Sequence, residues 1–195
     1  MLASHKLINV MKYKLFITTL LFSFFSMAAF SQCGSSHKSV KSSYHERHHD
    51  IVNIASNDHQ FSTLVTAVKV ASLVETLQGD GPFTVFAPTN TAFDKLPEGT
   101  VKSLLEPGAK DQLTKILTYH VVAGEFRAKD VVSAINASGG SFTIKTVSGN
   151  KLKATMNGSS VILTDENGGV SAVTKTDVNA SNGVIHIIDS VVLPK

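Results

Sequence analysis

A chain of 195 residues accommodates one domain plus a terminal segment, and a stretch of about 150 residues buries a core without disulfide or metal staples. Hydrophobic residues make up 43% and charged residues 17%, a balance too apolar for an intrinsically disordered chain. The formal charge of +3 rests on Lys6, Lys12 and Lys14, because residues 1–31 carry no acid; without them the balance is zero, with no basic run suited to nucleic acid or an acidic membrane.

"MKYKLFITTLLFSFFSMAAFSQ" has the parts of a secretory signal: a short basic start at Met11, an apolar run from Leu15 to Phe30, and small residues at the end. The run is short for the roughly 20 apolar residues a spanning helix needs. Residues 1–31 are therefore expected to be a signal peptide cleaved after Ala29-Phe30-Ser31, leaving Gln32 first and no membrane span. That implies a secreted, periplasmic or cell-surface protein. Cys33 is the single cysteine, so no disulfide forms within the chain. A cysteine there is the place for a lipid anchor, but Gln32 stands where a small residue is usual; export without lipid is preferred, with Cys33 free or paired between molecules.

Residues 32–49, "QCGSSHKSVKSSYHERHH", are rich in Ser, Lys and His, have no apolar period, and read as a linker. His45, Glu46 and His49 make a literal H-E-x-x-H, the spacing that holds zinc in metallopeptidases. A peptidase also needs a docked helix and a third ligand, and a helix here would have no apolar stripe to dock with. No dedicated metal site or cofactor is expected; adventitious zinc or copper binding by His37, His45, His48 and His49 is the most the tract supports.

The domain is expected over residues 50–195. Asp50 is placed to cap a helix bearing Ile51, Val52, Ile54 and Ala55, and Asn57-Asp58 offers a cap ahead of Phe61, Leu64, Val65, Val68 and Ala71, which share one helical face. "SLVETLQGDGPF" closes that element. "FTVFAP" is a short apolar strand stopped by Pro88, and "PTNTAFDKLP" is a helix capped by Thr89 or Asn90. "EGTVKSLLEPG" adds a turn or two, broken at Pro107-Gly108. "AKDQLTKILTYHVV" places Leu113, Ile116 and Leu117 on one face and becomes extended from Tyr119.

From Ser141 the apolar period is two. "SFTIKTV", "KLKATM", "SSVILTD", "VSAVTK" and "GVIHIIDSVVLP" read as strands, separated by Gly149-Asn150, Asn157-Gly158, Gly168-Gly169 and Asn182-Gly183. Helices followed by closely spaced strands predict an α+β domain with mainly antiparallel pairing. The lone early strand needs a partner for its backbone, and the apolar C-terminal strand is the natural one.

Three segments, "FTVFAPTNTAFDKLP" (83–97), "ILTYHVVAG" (116–124) and "NGVIHIIDSVVLP" (182–194), resemble in order the motifs of the fasciclin domain of extracellular adhesion proteins. The resemblance spans residues 50–194. It implies a wedge of about seven mainly antiparallel β-strands flanked by α-helices of the N-terminal half. It further implies a non-enzymatic role in attachment to matrix, glycan or cell-surface partners, with no cofactor. In animal relatives the Tyr-His segment and its flanks are linked to integrin attachment. The matching positions here are Tyr119 and His120 with Ile116, Leu117, Val121 and Val122, the candidate partner-binding residues.

Each candidate also has a structural reading. At a helix-to-strand junction neighbouring side chains point to opposite faces, so one of Tyr119 and His120 is expected inside, with His120 bonding a backbone group to pin the junction. His186 shares a strand face with Val184 and Ile188 and reads as a satisfied core or edge histidine; Asp189 caps or bonds the nearby turn; Thr89 and Asn90 are caps. No G-x-S-x-G or glycine-rich phosphate loop is present. The expected function is a secreted adhesion or interaction module. The alternative is an extracytoplasmic binding protein for a small ligand or polysaccharide, favoured by a Leu-, Ile- and Phe-lined cleft between helices and sheet.

Overall fold

A computed structural model describes residues 49–195. Short helices come first: α1 (Ile51–Ser56), α2 (Ser62–Val70), α3 (Val74–Leu77), then strand β1 (Phe83–Pro88), α4 (Asn90–Asp94), α5 (Thr100–Leu104) and α6 (Lys110–Tyr119). After β2 (Val121–Ala123) and α7 (Ala128–Ala137) come β3 (Ser141–Lys145), β4 (Lys151–Asn157), β5 (Ser160–Thr164), β6 (Val170–Ala180) and β7 (Gly183–Ile188). The seven strands form one sheet in the order β2-β1-β7-β6-β5-β4-β3. β1 pairs in parallel with β7, and every other pairing is antiparallel. The α+β class and the C-terminal partner of β1 thus agree with the sequence.

Both faces of β1 and β7 are covered, which is why these strands read as continuous apolar runs rather than alternating ones. Val85, Ala87, Ile185 and Ile187 join a core with α1, α2 and α6, while Phe86 and Ile188 join a second core with Val131 and Ile135 of α7 and the inner residues of β3–β5. Gly183 opens β7 at φ 154°, and a Cβ there would fall far inside contact distance of the Phe83 carbonyl oxygen. Only glycine permits that approach.

α7 has no counterpart among the expected elements, although Val131 and Ile135 stand one helical turn apart and are both buried. Its start is capped from two sides: Asp130 Oδ2 accepts the Arg127 amide at 3.3 Å, and Asp177 Oδ1 of β6 accepts the Ala128 amide at 2.9 Å. The expected single element from Phe61 to Gln78 is two helices, α2 and α3, separated where Ser72 adopts φ 59°. β6 is longer than "VSAVTK". It pairs first with β5 and then with β7, with register shifts between Val173 and Val178 that bend it from one partner to the other.

Candidate functional site

The six candidate partner-binding residues occupy the end of α6 and the start of β2, which the structure brings together and turns inward. Ile116, Leu117 and Val121 belong to the first core, Tyr119 and Val122 to the second. Tyr119 is 0% exposed and His120 2%, so both members of the pair are inside, not one. The side chains do part in opposite directions at the junction, but a hydrophobic cluster waits on either side. All six side chains are buried.

Tyr119 ends α6 and donates its hydroxyl to the Lys151 carbonyl at 2.7 Å, pinning the start of β4. Burial pushes its pKa up to about 12. His120 is the C-cap residue, and its Nδ1 lies 2.8 Å from the Ile116 carbonyl. Because Nε2 accepts the Val192 amide at 3.3 Å, Nδ1 is the protonated nitrogen. Burial pulls the His120 pKa down to about 4, outweighing the Ile116 bond and the charge of Asp165, so the ring is neutral at neutral pH. One histidine thereby joins α6, the C-terminal segment and, through its own carbonyl, the Phe86 amide of β1.

The other singled-out residues are structural in position. His186 is buried, with Nε2 2.7 Å from the Phe126 carbonyl and its ring stacked on Phe86 at 5.7 Å. Thr89 caps α4 by accepting the Ala92 amide. Asn90 instead accepts the Thr63 amide, supplying α2 with the cap that Phe61 lacks. Asp189 bonds the Ala172 amide and pairs with Lys95. Asn182 was expected only as a turn residue, yet its side chain accepts the Ile51 amide and donates to the Leu77 and Gly79 carbonyls. Nothing local marks that role, since its partners are over 100 residues away.

His37, His45, Glu46, His48 and Cys33 lie outside the described residues; His49 is exposed, and its carbonyl accepts the Ser181 amide. Among the described residues no group of three His, Cys, Asp or Glu side chains converges to hold a metal. No described helix is long and apolar enough to cross a membrane.

Two features among the described residues bear on binding. The first is a pocket of about 70 Å³ in the first core, bordered by Val52 and Ala55 of α1, Val65 and Val68 of α2, Leu77 of α3, and Leu117 and Val121 of the junction. Its walls are almost wholly carbon; His120 and the exposed Lys69 complete them. The second is the outer face of β3 and β4. Lys145 stands directly opposite Lys151, and Lys153 opposite Thr143, so three exposed lysines share one face although no basic run exists in the sequence. Like charges in direct opposition destabilise a sheet. Among the described residues ion pairs join Lys95 to Asp189 and Arg127 to Glu125, and none of the three lysines is in either.

The fasciclin domain model matches residues 59–194. Protein sll1483 of a Synechocystis strain is 52% identical over 146 residues, covering 74% of this chain and 73% of that one. The immunogenic protein MPT70 of Mycobacterium tuberculosis is 38% identical over 145 residues, 72% of this chain and 66% of its own. Among solved structures, a FAS1 domain pair from the insect cell adhesion molecule fasciclin I superposes with a TM-score of 0.66 at 21% identity, over 74% of this chain and 50% of that one; it shows the shared fold. With a family model spanning both the early strand and the C-terminal one, the chain belongs to the fasciclin domain family.

Proposed function

We propose that the protein is an exported, non-enzymatic adhesion module that binds an anionic cell-surface or matrix glycan across the face of β3 and β4. Residues 1–31 serve as a removable leader, residues 32–49 as a tether, and residues 50–195 as the binding domain. Family membership supports the adhesive role. The observation that carries the choice of partner is the cluster of Lys145, Lys151 and Lys153 on one exposed sheet face beside Thr143 and Thr155. Lysine ammonium groups pair with carboxylate or sulfate, and threonine hydroxyls hydrogen-bond sugar hydroxyls.

Tyr119 contributes from beneath, since its bond to the Lys151 carbonyl holds the strand that displays two of the three lysines. The candidate residues of the junction are in this reading positioning residues. The test uses beads carrying the chain from Gln32 onward, with a polyuronate and neutral dextran as surfaces. Saturable, salt-sensitive attachment to the polyuronate is expected, lost in Lys145→Glu/Lys153→Glu and kept in the control Lys102→Glu/Lys129→Glu. Equal loss in both variants, or attachment to neither polymer, would refute the lysine face as the contact.

A further inference from the structure

The pocket among α1, α2, α3 and the junction lies in a different core from the one beneath the lysine face, and its chemistry is the reverse. Protein interiors are close-packed, and a void larger than a water molecule is rare in them. Water gains little in this one, because a buried water needs two or more polar partners. His120 offers none: both ring nitrogens are already engaged, by the Ile116 carbonyl and the Val192 amide. The occupant that suits such walls has no polar group along the part it buries.

The shape and the rim narrow the choice. At about 70 Å³ the pocket is roughly half the ~150 Å³ of an engineered cavity that takes up benzene, so it fits the end of a single chain, not a ring system. Val52, Val65 and Val74 are only partly buried, so the space reaches the surface between the helices. Lys69 is the one charged side chain in the lining; it is exposed, and among the described residues it is in no ion pair. A lysine lays its methylene stem along apolar surface and keeps its ammonium in water, which is the arrangement a carboxylate at the mouth would meet.

We propose that this pocket binds the alkyl end of a single-chain fatty carboxylate, with Lys69 pairing with the carboxylate at the rim. The site is independent of the glycan reading and stands or falls without it. The full chain is titrated with decanoate, decanol and decyltrimethylammonium, each below its micelle concentration, by calorimetry and thermal unfolding. Decanoate is expected to bind at one site and raise the melting temperature, and to bind more tightly than the other two.

Ala55→Leu should fill the pocket and abolish decanoate binding. Should that variant fail to fold, the exposed Lys69→Glu still decides the matter: it should weaken decanoate by about fivefold and favour the cation. No decanoate binding by the wild type, or binding that survives Ala55→Leu in a folded protein, overturns the site. Unchanged affinities in Lys69→Glu overturn the recognition of the carboxylate.

Discussion

Lowering the pH below about 6.5 should weaken the fold through His120 before the carboxylates titrate, because the unfolded chain takes up a proton that the buried ring refuses. The ring is buried and neutral in the fold with a pKa near 4, whereas in the unfolded chain it titrates near the ordinary value of about 6.5. Between those values the unfolded state holds a proton the folded state refuses, so stability is complete above about pH 6.5 and falls as the pH drops toward 4. Integrated to about pH 4.5, the loss is about 2.5 kcal/mol, a large share of the stability of a small domain. Urea unfolding at several pH values between about 7.5 and 4.5 measures it, with His120→Gln as the reference. The variant is less stable at neutral pH, because the Ile116 carbonyl and Val192 amide lose well-placed partners, but its stability should decline less across this range. Parallel decline in the two proteins would refute the reasoning, since the wild-type loss would then come from other groups.

Tyr119→Phe removes the one hydroxyl that satisfies the Lys151 carbonyl from inside the core and should cost about 1–2 kcal/mol in urea unfolding. Its polyuronate attachment should weaken without disappearing, as the lysines remain. Gly183→Ala should be severely destabilising, by about 3 kcal/mol or more, because the added Cβ strikes the Phe83 carbonyl where β1 and β7 run side by side. A thermal melt showing near wild-type stability would mean the two strands can move apart at their N-terminal ends.

Much of the fold was legible because its signals are local. Asp50 caps α1 and Thr89 caps α4 from the positions that capping chemistry requires. The alternation in β3 to β5 sorts residues between the α7 core and solvent, and His186 was recognisable from the apolar residues that share its strand face. α7 went unread although Val131 and Ile135 carried a helical spacing, partly because Arg127 at its N-cap has no side-chain acceptor: Asp130 takes the Arg127 amide locally, and the Ala128 amide goes to Asp177, 49 residues away. α2 is also capped from afar, by Asn90 across 27 residues, yet its apolar face was legible without the cap.

The candidate site divides the same way. By itself the sequence determined that Tyr119 and His120 stand where α6 gives way to β2, because the helical period ends there and an apolar extended run begins. Which way they face was settled only in three dimensions, by two cores that meet at β1 and enclose the junction on both sides. The lysine face is likewise a product of strand register, which sets Lys145 opposite Lys151 across a hairpin. The pocket has the same origin, since its walls come from helices and strands that no spacing in the sequence relates. Period and capping are properties of neighbouring residues, whereas burial, charge clustering and cavities depend on which distant segments pack together, and only the folded chain specifies that.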